Sequence, residues 1–119
     1  MELTDRSEVL LAGELEVRTA ERLAVVAGRP LPLSARELEL LAVLVRKRGH
    51  VVPRTELYET VWGAPLRHDD RSVDVYVHKL RAKLAGLVPD RRFIHTHFGF
   101  GYRLEPEPAE GRAIEPRME

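Results

Sequence analysis

An abrupt change of apolar period at Ser34 constrains this chain more than any other feature. Before it, apolar residues sit in short runs and alternations broken by glycine, as on half-buried strands. After it they recur every three to four residues, as on one face of a helix. Ser34-Ala35-Arg36-Glu37 is itself a capping box, in which hydroxyl and carboxylate reciprocally satisfy free N–H groups at a helix start. Leu38, Leu41, Ala42 and Val45 follow at helical spacing, and Arg46-Lys47-Arg48-Gly49 supplies a cationic last turn and a glycine stop. Strands must therefore come first and helices after.

The rest of the chain extends this order. Val9, Leu11, Leu15 and Val17 alternate with other residues, Leu23-Ala-Val-Val26 is a β-rich run, and Gly13, Gly28 and Arg29-Pro30 read as turns. A second helix is expected over Arg54 to Val61, with Leu57, Tyr58 and Val61 on one face and Gly63-Ala-Pro65 ending it. Residues 62–70 show no period and read as a loop. A third helix over 71–86 carries the stripe Val73, Val77, Leu80 and Leu84, with Gly86 and Pro89 as terminators. Phe93 to Phe98 and Tyr102 to Leu104 flank Gly99-Phe-Gly101 and predict a β-hairpin. One folded domain is expected over 8–104, with a flexible tail at 105–119.

At 119 residues, 44% apolar, the chain can bury one core. It has no cysteine, no apolar run near the roughly 20 residues of a membrane span, and no basic and apolar leader after Met1. Together these predict a cytoplasmic location without membrane association and exclude a disulfide scaffold. Nineteen cations balance nineteen acids, but unevenly. Residues 71–103 hold seven basic side chains against Asp74 and Asp90, whereas residues 104–119 hold five acids against two Arg. Local potential governs binding to phosphate, so a neutral chain can still present a positive face.

On the third helix, the face opposite the apolar stripe holds Arg71, Val75, His78, Lys79 and Ala82, flanked by Ser72, Tyr76 and Lys83 on one side and Asp74 and Arg81 on the other. Cations, hydrogen-bonding groups and a small apolar group suit phosphates, base edges and a thymine methyl. The same face equally fits an ordinary solvated helix. Enzyme readings find little support: the chain lacks a cysteine nucleophile, a G-x-S-x-G elbow and a phosphate-cradling glycine loop before a helix. No cofactor is expected. His95 and His97 alternate on a strand but lack a third ligand at suitable spacing, so no metal site is expected and both are placed on the hairpin surface.

Ser34-x-x-Glu37-x-x-Leu40-Leu41, Gly49-His-Val-Val, Leu57-x-x-x-Val61-Trp62-Gly63 and Arg71-Ser-Val-Asp-Val-Tyr-Val-His-Lys-Leu-Arg-Ala-Lys-Leu84 stand in that order. Ile94-x-Thr96-x-x-Gly99-x-Gly101-Tyr102-Arg103 follows. This series, over about residues 10 to 104, resembles the effector domain of OmpR/PhoB-type bacterial response regulators. The resemblance implies an α+β winged helix-turn-helix: an N-terminal antiparallel sheet, three helices and a C-terminal hairpin wing. It implies sequence-specific binding of double-stranded DNA and transcription regulation, with a protein-docking module without DNA binding as the alternative. The recognition helix would be 71–86, with Val75 and Lys79 facing bases. Trp62, Arg71, Tyr76, His78, Arg81, Lys83, Thr96 and Tyr102 would meet the DNA backbone, Trp62 serving alternatively as a half-buried anchor.

The resemblance further implies tandem direct-repeat sites, a second copy bound beside the first on DNA, and contact with RNA polymerase through loop 63–70, centred on Leu66 and Arg67. Three features depart from the family pattern. Pro53 stands where Ser or Thr usually caps the second helix. Phe98 stands where the wing often carries Arg, or an aromatic, which weakens any minor-groove discrimination by an inserted arginine. Nothing in the chain resembles a phosphoacceptor receiver domain, so the resemblance implies either the effector domain of a two-component response regulator or a free-standing relative.

Overall fold

The computed structural model describes residues 8–109. Strands β1 (Val9–Ala12), β2 (Leu15–Arg18), β3 (Leu23–Val26) and β4 (Arg29–Pro30) pair in sequence order as an antiparallel sheet. Helix α1 (Ala35–Arg46), strand β5 (Val51–Pro53), helices α2 (Arg54–Trp62) and α3 (Ser72–Leu87), and strands β6 (Arg91–His97) and β7 (Gly101–Pro108) follow. A second antiparallel sheet has the order β5-β7-β6. The layout is a winged helix, with the β6–β7 hairpin as its wing.

The capping box forms as the sequence requires. Glu37 N–H donates to Ser34 Oγ at 3.2 Å, and Ser34 N–H donates to Glu37 Oε1 at 2.8 Å. Glu37 is only 3% exposed, and a carboxylate that deep needs a cation. Lys83 Nζ supplies it at 2.7 Å, bridging α1 to α3. Burial pushes the Glu37 pKa up, but the bonds from Lys83 and Ser34 outweigh it and hold the group below its ordinary value.

Helix α1 is buried well beyond one stripe: Leu38, Leu40, Leu41, Ala42, Val43, Leu44 and Val45 all lie in the core. It packs against β1, α2, α3 and β7, so apolar residues are needed on most of its circumference. Leu57, Val73, Val77, Leu80 and Leu84 are buried as their periodicity predicts, while Val61 is half-buried at the core's edge.

Several boundaries differ from the sequence reading. In β1 the outward pair is Val9 and Leu11, 48% and 63% exposed, while Ala12 is buried. Pairing Leu10 with Val17 and Ala12 with Leu15 sets that register, which an all-apolar strand cannot announce by alternation. Strand β5 was not expected; three residues are too few to show a period, and Val52 is fixed by pairing with Tyr102. Gly86 lies inside α3, which runs to Leu87 and closes with Val88 N–H on Leu84 O before Pro89. Residues 105–108, expected in the tail, belong to β7, where Glu107 pairs with Arg92 and Pro108 with Arg91. Ala109 follows with its N–H on Asp90 O, and the rest of the expected tail, 110–119, lies outside the described residues. Among the described residues no helix is long and apolar enough to cross a membrane.

Candidate nucleic-acid interface

Helix α3 buries Val73, Val77, Leu80 and Leu84 and turns its opposite face to solvent. On that face Val75 is 48% exposed, and His78, Lys79 and Ala82 are exposed beside it. An apolar side chain left in water among cations, with no core to fill, is the arrangement base readout needs. Lys79 Nζ lies 4.8 Å from the Tyr76 ring centroid, a cation–π contact that draws the ammonium along the helix surface. Arg71, just before the first turn, keeps a side chain 74% exposed, with Nε 3.7 Å from Asp74.

Two clamps fix α3 against the rest of the fold. Arg54, the first residue of α2, donates from Nε and Nη2 to the two oxygens of Asp74 at 3.1 and 2.9 Å, and from Nη2 to Asp70 O. Tyr102 of β7 donates its hydroxyl to Asp74 Oδ1 at 2.5 Å. One carboxylate in the first turn of α3 thus ties together α2, α3 and the wing. Burial pushes Asp74 up, but Arg54 and Tyr102 hold its pKa below the ordinary value. The same burial, with the neighbouring carboxylate, pushes the Tyr102 phenol up to about 12.

The second clamp is Arg81, whose Nε and Nη2 donate to Ile94 O at 3.1 and 2.9 Å, with Nη2 also on Thr96 Oγ1 at 2.6 Å. Its guanidinium sits 5.6 Å from the Tyr102 ring, and burial lowers its pKa.

Four of the residues expected at the DNA backbone make contacts within the fold. Arg81 is half-buried and braces the wing with two of its nitrogens. Thr96 already accepts from Arg81. Tyr102 is buried, and its hydroxyl proton is committed to Asp74, so it cannot donate to a phosphate without breaking that bond. Lys83 faces α1, donating to Glu37 and to Pro32 O at 2.9 Å, away from the Val75 face. His95 is buried as well, with Nε2 2.7 Å from Glu105 O, and does not lie on the wing surface.

Trp62 is half-buried and serves as an anchor. It stacks on Tyr58 at 4.8 Å and 5°, meets Tyr76 edge-on at 5.5 Å, and lies 5.1 Å under the Arg36 guanidinium. Arg36 Nη1 also donates to Val61 O at 2.8 Å, so the end of α2 is held to the start of α1. The α2–α3 loop carries an exposed Arg67 and a half-buried Leu66. Asp70 N–H donates to Arg67 O, and Asp70 Oδ1 accepts from Ser72 N–H, which steers the chain into α3.

Sequence reasoning did not find Arg54 and Asp74 as partners, because a pair twenty residues apart leaves no periodic trace. At the wing tip, Phe100 N–H donates to His97 O across Phe98-Gly99, and Gly99 has φ +83 at the third position, as in a type II turn. Phe98 and Phe100 are 87% and 74% exposed there. An open groove runs from the tip past Arg71, Arg54 and Arg81 to the start of α3.

The model of the family described as "Transcriptional regulatory protein, C terminal" matches residues 28–104. The transcriptional regulatory protein PrrA of Mycobacterium tuberculosis is 42% identical over 102 residues, covering 85% of this chain and 43% of that protein. The response regulator SaeR of Staphylococcus aureus is 33% identical over 98 residues, with 82% and 43% covered. The chain thus spans less than half the length of these relatives. Among solved structures, the DNA-binding domain of CpxR from E. coli is similar at TM-score 0.75 and 31% identity, over 83% of this chain and 97% of that one. The DNA-binding domain of RstA from Klebsiella pneumoniae, in complex with RstA box, matches at TM-score 0.75 and 27% identity, over 84% and 99%.

Proposed function

The chain belongs to the family of transcriptional regulatory protein C-terminal domains, the OmpR/PhoB-type effectors, and on that premise we propose that it binds double-stranded DNA sequence-specifically and regulates transcription. The observation that carries this reading is the exposed Val75, His78, Lys79 face on a helix clamped at its first turn and at its middle. A rigid helix presenting an apolar group and cations can enter a major groove and meet base edges there. Val75 would contact a thymine methyl and Lys79 a guanine edge. Arg71, His78, Tyr76 and the edge of Trp62 would meet phosphates. Arg81, Thr96, Tyr102 and Lys83 act as positioning residues, setting the angle between α3, the wing and α1. The RstA domain, a DNA-binding domain whose solved structure is a complex with RstA box, supports DNA binding by this fold.

Selection of bound duplexes from a random pool tests the reading. Recovery of one consensus supports it; enrichment of none removes it. On that consensus, Lys79→Ala is expected to lower discrimination at one or two base pairs by about 1–3 kcal/mol while non-specific affinity changes less. Binding measured on the consensus and on single-base variants decides this. Uniform weakening on every sequence would place Lys79 on phosphate instead.

Two copies are proposed to occupy tandem direct repeats, with half-sites about one helical turn apart. The loop 63–70 is proposed to touch RNA polymerase. Eight residues exceed the turn of about 3–4 residues usual between these helices, and Arg67 is exposed at its centre. Leu66→Ala with Arg67→Ala is expected to leave operator affinity within about twofold while impairing activation, since neither side chain lies on the α3 face. Transcription in vitro beside a binding assay checks it. Equal loss in both assays would show that the loop only positions α3.

A further inference from the structure

We propose that Phe98 and Phe100 form an apolar wedge that enters the minor groove flanking the α3 site and unstacks a base step there. The inference rests on the DNA-binding reading above and adds a residue-level device to it. Phe98 and Phe100 are the two most exposed large hydrophobic side chains among the described residues, at 87% and 74%. Neither fills a core, and both sit on the three-residue turn Phe98-Gly99-Phe100, closed by Phe100 N–H on His97 O. The hairpin beneath that turn is braced by Arg81 on Ile94 O and by Tyr102 on Asp74, so the rings project from a rigid platform. Little ordering entropy is then lost when they insert.

Their surroundings select the partner. The rings border an open groove whose far wall carries Arg71, 74% exposed, while Arg103 and His97 stand just below the tip, joined at 3.0 Å. Cations around two bare aromatic rings suit a polyanion with π-faces, namely a nucleic acid. A protein pocket would leave those charges to be desolvated without partners. With α3 in a major groove, the neighbouring hairpin faces the adjacent minor groove, where apolar side chains can part base steps and kink the duplex. Flexible pyrimidine–purine steps yield most readily, so such a step is expected opposite the tip. Specificity would then arise from deformability at a position where no side chain reads a base edge.

The test uses the 119-residue chain and duplexes it recovers from a random pool, with 2-aminopurine placed at successive steps beside the α3 footprint. Fluorescence is expected to rise at one step on binding, reporting lost stacking. Phe98→Ala with Phe100→Ala should abolish that rise and weaken binding about tenfold or more. Its log–log salt slope should stay that of the parent, because no charge has been removed. Thermal unfolding confirms that the doubly substituted chain is folded, as expected for two exposed turn positions. Phe98→Leu should retain part of the signal. A bound complex with flat fluorescence at every step, or undiminished affinity in the double-alanine chain, overturns the wedge while leaving the DNA-binding reading intact. Failure to recover any duplex would remove both.

Discussion

Replacing Gly101 with alanine is expected to abolish most of the domain's stability. A Cβ at that position would stand 2.0 Å from Val52 O and 2.8 Å from its carbonyl carbon, closer than any real contact. Both atoms are backbone of β5, so no rotamer change relieves the overlap. The φ of +154 adds a conformation that side-chain-bearing residues avoid. Either β5 leaves β7 or the wing peels from the body. The expected cost is about 4 kcal/mol or more, against the 5–15 kcal/mol typical of a domain. Gly99→Ala is the internal control, since a Cβ there meets nothing within 4 Å and only its φ of +83 is strained. That change should cost about 1 kcal/mol. Urea midpoints of the two variants check this, and near-equal costs would contradict the close approach of β5.

Asp74→Ala is expected to be the next most damaging change. It leaves the Arg54 guanidinium and the Tyr102 hydroxyl without their shared acceptor, and removes the one group joining α2, α3 and the wing. Loss of charge-assisted bonds in a mostly buried setting costs about 2–3 kcal/mol. Operator affinity should fall too, because the first turn of α3 loses its anchor. The pKa shifts set the pH window. Asp74 is depressed below 3.8, so its contribution is present above that value and is lost as pH falls through the folded-state value. Tyr102 is raised from 10.0 to about 12, so its contribution is present below pH 10 and is lost between 10 and 12. Asp74→Asn should flatten part of the acid limb, leaving the share of Glu37, and Tyr102→Phe should flatten the alkaline limb. Unfolding measured from pH 2 to 12 tests both. Unchanged limbs would show that this network contributes little.

What the sequence disclosed and what it hid divide along physical lines. The capping box and the α3 stripe were legible because both arise from contacts within one helix turn or a fixed period. The inner set of β1 was not legible because Val9-Leu10-Leu11-Ala12 is apolar throughout, and pairing with β2 decides which side faces the core. Strand β5 was invisible for the same reason: its three residues are defined by β7. Gly101 read as a turn residue, whereas its requirement is the passage of another strand's carbonyl.

The interface shows the same pattern. The outward face of α3 follows from its own periodicity, and Val75, His78 and Lys79 lie where the wheel puts them. Arg81, Lys83, Thr96 and Tyr102 turned inward because Ile94, Glu37, Asp74 and one another lie within reach only after folding. Residue type alone cannot tell a cation that clamps a carbonyl from one that meets a phosphate.

Affinity for the selected duplex as a function of salt tests the proposed DNA face most directly. Each neutralised phosphate contributes about 0.9 to the log–log slope, so three to five contacts from α3 and its surroundings predict a slope of about −3 to −4.5. Raising salt fourfold should then weaken binding roughly 60- to 500-fold. Arg71→Ala should lower the slope by about one, and Lys83→Ala, whose ammonium faces Glu37, should leave it unchanged. A flat salt response, or an Arg71→Ala chain with the parent's slope, would contradict binding through this face.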